Sequence, residues 1–195
     1  NNFKTGTKID ITIGCDSFGQ FIQVKDNGRG IPVEKTPEGW RPDLCWTRAR
    51  SGTSFSEDRT TIGANGVGSF LTVVFSTKFL GESRDGKKKL NLEVNGDIDK
   101  KKVSVVDSTE KSGVTVKFYP DFSAFSGIES FTEDHISLLK NNIKNLAICF
   151  PKIKFTVNGE QVGGLSNKDL AKSIHEHAIG IETMDGVTVI APLPK

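Results

Sequence analysis

Apolar and polar residues alternate over Lys8–Ile13, with Ile9, Ile11 and Ile13 on one face. After a turn at Asp16–Gly19, a second run, Phe21–Lys25, returns. This pattern predicts a β-hairpin. Pro37 and Gly39 make Thr36–Arg41 a loop. Asp43–Arg50 reads as a short helix capped by Asp43, with Leu44, Trp46 and Thr47 facing in. Ser51–Thr61 is polar without periodicity and reads as a mobile surface loop. The apolar run Phe70–Phe75 follows directly on a cluster of glycines and fits a helix. From Thr77 onward the period changes to two. Lys78–Gly81, Lys89–Val94, Lys102–Val106 and Gly113–Tyr119 read as strands, the last with Val114, Val116 and Phe118 on one face and Pro120 as its stop. Ile136, Leu139, Ile143, Leu146 and Ala147 recur at helical spacing before Pro151. Ile153–Val157 is a strand that turns at Asn158-Gly159, a type I′ signal. Asn167–His177 reads as a short helix, and Gly186–Ile190 as a strand with no evident partner after it. The sum is an α+β chain: a mostly antiparallel sheet with helices on one face.

Composition narrows the class without naming it. The 195 residues suit one domain, or one domain and part of another. No apolar run approaches the roughly 20 residues of a membrane span, and no signal segment opens the chain. Lys+Arg number 26 against 24 Asp+Glu, so charge alone selects no nucleic-acid partner. The short clusters Lys87–Lys89 and Lys100–Lys102 read as solvated hairpin faces. Cys15, Cys45 and Cys149 are far apart and lack metal-ligand spacing. They read as buried thiols of a reducing cytoplasm. His175 and His177 are two apart and His135 is remote, which favours surface or capping roles over a metal site. The chain opens on Asn1 and its one methionine is Met184, as expected of a fragment or a processed protein.

Two glycine-rich stretches carry the chemistry. Asp26-Asn27-Gly28-Arg29-Gly30-Ile31-Pro32 follows the hairpin's second strand. Its glycines allow close backbone approach to a ligand, and the Asp can accept a hydrogen bond from an amino group. Taken alone, the pattern also fits an ordinary turn. Gly63-Ala64-Asn65-Gly66-Val67-Gly68-Ser69 precedes the predicted helix, where backbone N–H groups and the helix dipole favour phosphate. No Gly-Lys-Ser/Thr follows, so it is not a Walker A loop. No parallel βαβ unit surrounds it, so it is not a dinucleotide fingerprint. A tight helix-entry turn is its plainer reading.

The order of these parts is more specific than either. Hairpin, Asp-Asn-Gly-Arg-Gly-Ile-Pro, polar loop, Gly-Ala-Asn-Gly-Val-Gly-Ser, helix, strands and Ser112-Gly113-Val114-Thr115-Val116-Lys117-Phe118-Tyr119-Pro120-Asp121 together resemble the GHKL ATPases. That superfamily includes gyrase B, the ninety-kilodalton heat-shock chaperone, MutL and the histidine kinases. Gly30-Ile31-Pro32 and the Phe118-to-Asp121 ending are most similar to type IIA DNA topoisomerases. Phe150-Pro151, Phe155–Gly159 and Glu176–Ile179 extend the likeness, which is greatest to the ATPase-bearing large subunit of T-even-type bacteriophage enzymes.

The resemblance implies a GHKL (Bergerat) two-layer sandwich over residues 1–165, with 166–195 as a connection and the first strand of a transducer domain. It implies that Asp26 accepts from the adenine amino group and that Gly28 and Gly30 admit the base. Arg29, Ile31 and Pro32 would wall the pocket, with Val24 and Val116 beneath the base. Asn65, Gly66, Val67, Gly68 and Ser69 would wrap the phosphates of ATP, within a lid spanning Gly52–Gly68. Gly63, Cys45 and Thr115 are further candidates for the site. The family has a Thr where this chain has Val114. Thr115 is one residue later, and a one-residue shift on a strand reverses the face. The lid also departs from the family, with Gly52-Thr53 and Ile62-Gly63 where paired glycines are usual and a slightly short span between Phe55 and Asn65.

The family's general-base Glu and Mg²⁺-ligating Asn lie on a helix expected upstream of Asn1; Asn1 and Asn2 fall about two helical turns too late. Its γ-phosphate lysine is expected beyond Lys195. Hydrolysis needs a base, a metal and charge neutralisation, so the chain alone is expected to bind nucleotide without turning it over. The implied partners are ATP with Mg²⁺, a second copy on ATP binding, a DNA-cleaving subunit or domain, and DNA through the complete enzyme, with no membrane. The alternatives are a nucleotide-binding or subunit-interaction module without turnover, and a chaperone or MutL-like GHKL protein.

Overall fold

The predicted hairpin forms as β1 (Lys8–Asp16) and β2 (Gly19–Asp26). Between them the Asp16 carboxylate accepts from the Phe18 N–H at 2.9 Å. The computed structural model describes residues 6–50, 66–150, 152–163, 178–182 and 188–192. The expected loop at Ser51–Thr61, most of the lid, Gly63, Asn65, Pro151 and the helix at Asn167–His177 lie outside the described residues. The chain divides into two units, one of residues 1–6 and 12–130, the other of residues 7–11 and 131–195.

In the first unit, β8 (Gly113–Pro120) lies between β2 and β5 (Ser76–Arg84), and β6 (Lys88–Val94) and β7 (Lys102–Asp107) follow. Every pairing from β2 to β7 is antiparallel. Val116 stands opposite Val24 on one side and Gly81 on the other. The period of two sends Val114, Val116 and Phe118 to the same face as Phe79, Leu90, Leu92 and Val94. That face is covered by α1 (Arg41–Thr47) and α2 (Gly68–Val74), which supply Trp46 and Val73 to the core. Each such side chain contributes about 1.5–3 kcal/mol when fully buried. Gly81 is dictated by the indole over it: a Cβ there would sit 2.6 Å from the Trp46 ring.

Several expectations change. Thr36–Arg41 is not all loop, because β3 (Lys35–Thr36) and β4 (Gly39–Trp40) make a small hairpin. The helix starts at Arg41, with Pro42 in its first turn and Trp40 at its cap, so Asp43 does not cap it. Asp43 is buried instead, 2.9 Å from the Lys101 ammonium, and accepts from the Thr47 hydroxyl at 3.0 Å. Nor are the lysine clusters simply solvated. Lys101 makes that pair, and Lys89 bridges Glu82 at 3.0 Å and Glu110 at 3.3 Å. Of the thiols, Cys15 is exposed and Cys45 half-buried.

In the second unit, residues Lys8–Ile11 of β1 pair in parallel with β9 (Lys154–Val157), and β10 (Glu160–Gly163) is antiparallel to β9. Asn158 and Gly159 both have positive φ, 49° and 82°, as the Asn-Gly turn requires. The helix α3 (Glu133–Cys149) packs on β9 and β10 with Ile143 and Ala147 buried. Leu146, expected on its inner face, is exposed. The last run does have a partner: β12 (Thr188–Pro192) pairs with β11 (Ala178–Glu182) just before it in sequence. No helix among the described residues is long and apolar enough to cross a membrane.

Candidate functional site

Asp26 is the last residue of β2, where the strand leaves the sheet and the glycines begin. Its Oδ1 accepts from the Gly28 N–H at 2.7 Å, a charge-assisted bond that folds the loop back over the strand end. Among the described residues its Oδ2 has no hydrogen-bond partner, and the side chain is half-buried. One oxygen is thus structural and the other is available to a donor. Gly113 is needed beside it, since a Cβ there would lie 2.4 Å from the Asp26 carbonyl oxygen.

Gly30 is buried, with φ +74°, and a Cβ would come within 2.0 Å of the Arg84 carbonyl oxygen. No other residue fits that conformation and that space. Ile31 and Pro32 follow, half-buried, and Arg29 is exposed. The Ile31 N–H donates to Ser83 Oγ at 2.8 Å, and the same hydroxyl donates to the Ile31 carbonyl at 2.8 Å. The Val33 N–H donates to Asp85 Oδ2 at 2.9 Å. Burial pushes the Asp85 carboxyl up, but the N–H groups of Val33, Lys88 and Lys87 outweigh it and hold the group below its usual range. Ser83, Arg84 and Asp85 are absent from the sequence reading, which ended that strand at Gly81. The signal was there: a serine continues the inward row of Phe79 and Gly81.

Val24 and Val116 face each other across β2 and β8. Thr115 lies between Lys25 and Glu82 on the opposite face, so it stands away from Val116's row. Val114 occupies the core-facing position, paired with Ser83.

At the second glycine stretch, Gly66 has φ +60° and accepts from the Arg50 N–H at 2.9 Å, which ties the segment after α1 to the turn before α2. Val67 is the N-cap of α2, Gly68 its first residue, and Ser69 donates to the Cys45 carbonyl at 2.7 Å. Thr72 donates to the Gly68 carbonyl at 3.0 Å. Gly68 and Ser69 are exposed. Burial pushes the Cys45 thiol up, against the nearby Arg41, so it stays a neutral thiol. No group of three or more His, Cys, Asp or Glu among the described residues could hold a metal ion.

Residues 1–124 match the family model described as histidine kinase-, DNA gyrase B-, and HSP90-like ATPase. The chain is 36% identical over 184 residues to the DNA topoisomerase large subunit of enterobacteria phage T4, covering 91% of this chain and 34% of that protein. The ATPase and transducer domains of DNA topoisomerase II from Balamuthia mandrillaris superpose with a TM-score of 0.81 at 21% identity, covering 95% of this chain and 50% of that one. The ATPase region of Saccharomyces cerevisiae topoisomerase II gives a TM-score of 0.72 at 22% identity, covering 80% and 43%. The chain thus spans about a third of the phage subunit and at most half of either structure.

Proposed function

Because the chain belongs to the histidine kinase-, DNA gyrase B-, and HSP90-like ATPase family, we propose that Asp26–Pro32 and Asn65–Ser69 are the base side and the phosphate side of one ATP site. The chain is a GHKL ATPase domain homologous to the ATPase regions of type II topoisomerases. The observation that carries the proposal is the divided Asp26 carboxylate, with one oxygen held by Gly28 and the other without a partner among the described residues. An exocyclic amino group fits a lone acceptor at the end of a glycine loop; a guanine carbonyl at the same place would meet an acceptor with an acceptor.

In this reading Val24 and Val116 give the base an apolar floor, and Gly30, Ile31 and Pro32 give it a wall. Arg29 stands at the exposed rim. Gly66–Ser69 offers backbone N–H groups to phosphate oxygens. No group of three or more His, Cys, Asp or Glu among the described residues could hold a metal ion; Mg²⁺ would accompany the triphosphate of ATP and offset its charge.

The parent protein, on this proposal, is an ATP-dependent type II DNA topoisomerase. ATP binding dimerises two such domains into a clamp, and strand passage on DNA is completed with a DNA-cleaving subunit or domain. The 36% identity across 91% of the chain to the phage topoisomerase subunit favours this over a chaperone or MutL-like protein.

Calorimetric titration of the 195-residue chain with ATP tests the site. Asp26→Asn presents a donor to a donor while keeping the shape, and is expected to weaken ATP binding at least tenfold, about 1.4 kcal/mol. An unchanged affinity in a folded variant would rule the site out.

A further inference from the structure

Gly28–Val33 forms no regular secondary structure, yet two of its backbone N–H groups have side-chain partners 52 residues away. Those partners come from the end of β5 and the residue after it. Ser83 has 0% exposure, and its hydroxyl both accepts from and donates to the backbone of Ile31, each at 2.8 Å. The Arg84 carbonyl is the surface against which Gly30 fits. Asp85 holds the Val33 N–H at 2.9 Å, while its other oxygen accepts from the Lys87 and Lys88 N–H groups at 2.9 and 2.8 Å. Three consecutive residues therefore hold Ile31, Gly30 and Val33. A hydroxyl that satisfies both polar groups of one residue fixes that residue as a ladder partner would.

We propose that Ser83 is a positioning residue for the base wall of the nucleotide site, with Asp85 as its second anchor. The inference rests on the ATP-site reading above. A binding wall must be held to within about 0.5 Å of its productive place. An irregular loop gets that precision from its anchors, because it has no ladder of its own. Removing the Ser83 hydroxyl leaves the N–H and the carbonyl of half-buried Ile31 without their partner, and the wall relaxes toward water to satisfy them.

The test is nucleotide titration of Ser83→Ala and Asp85→Ala in the full chain, under conditions where circular dichroism shows each variant fully folded. Ser83→Ala is expected to weaken ATP about tenfold and to narrow the preference for ATP over GTP, because a displaced wall no longer selects the base. Asp85→Ala, at a half-exposed turn, is expected to act in the same direction by about threefold. A residue important only for stability would lower the urea midpoint and leave both the affinity and the ATP-to-GTP ratio of the folded protein unchanged; that result overturns the proposal. If Ser83→Ala does not fold, an unchanged affinity and ratio in Asp85→Ala overturn it equally. ATP binding that is insensitive to Asp26→Asn would overturn the site itself and this inference with it, whereas sensitivity to Asp26→Asn with indifference to both β5 variants would overturn the inference alone.

Discussion

Asp16 shows how one carboxylate organises a surface. Its Oδ2 accepts from the Lys117 ammonium at 2.7 Å and from the Tyr119 hydroxyl at 2.8 Å, and its Oδ1 takes the Phe18 N–H. Lys117 in turn lies 3.8 Å from the Phe21 ring centroid. The Lys117 ammonium and the Phe18 N–H together pull the Asp16 pKa down to about 2. An unfolded Asp titrates near 3.9, roughly. The folded state therefore binds the proton less readily, and the stabilisation is present above about pH 4 and lost as pH falls toward about 2. Urea unfolding at pH 5 and at pH 2 should show a gap between the unaltered chain and Asp16→Asn that is present at pH 5 and much narrower at pH 2. A gap that does not change with pH would mean the charge has no part in it. None of this was legible in the sequence, where Asp16 reads as one residue of a hairpin turn. Its partners Lys117 and Tyr119 lie more than a hundred residues away. Gly30 was legible only in part: its need for positive φ follows from the motif, but the Arg84 carbonyl that excludes a side chain comes from another strand.

At the scale of elements, α1 is the clearest case of tertiary contact overriding a local signal. A sequence of Arg-Pro-Asp before an apolar run suggests an Asp cap, yet Asp43 is the third residue of the helix, within its first turn, and faces Lys101 and Thr47. The Lys101 ammonium also donates to the Thr47 hydroxyl at 3.0 Å, closing a three-membered polar cluster at the helix base. Asp43 is 5% exposed, while the Lys101 side chain retains 29%. Asp43→Ala should therefore cost about 2 kcal/mol, less than the roughly 3–5 of a fully buried pair that loses one member. Urea unfolding at neutral pH measures it, and a loss below about 0.5 kcal/mol would show that solvent already satisfies Lys101. The strands were easier to read because their period of two is set locally by the burial of one face. Their ends were not. β5 continues three residues beyond Gly81, and those residues include Ser83 and Arg84, which meet Ile31 and Gly30. The β3–β4 hairpin was missed because two-residue strands carry no periodicity.

At the scale of the molecule, motif order identified the family that residues 1–124 match. Order is informative because neither glycine turn is specific alone, whereas their sequence relative to the hairpin, helix and strands is. The anchors from β5 stayed hidden because they act through backbone groups, which leave no side-chain pattern in the wall itself. The central claim, that Asp26 reads an adenine, is tested most directly by a crystal structure of this chain grown with a non-hydrolysable ATP analogue. The account predicts the adenine amino group donating to the Asp26 oxygen that Gly28 does not hold, at about 2.9 Å, with phosphate oxygens against Gly66–Ser69. An analogue bound with its base away from Asp26, or its phosphates away from that turn, would contradict it.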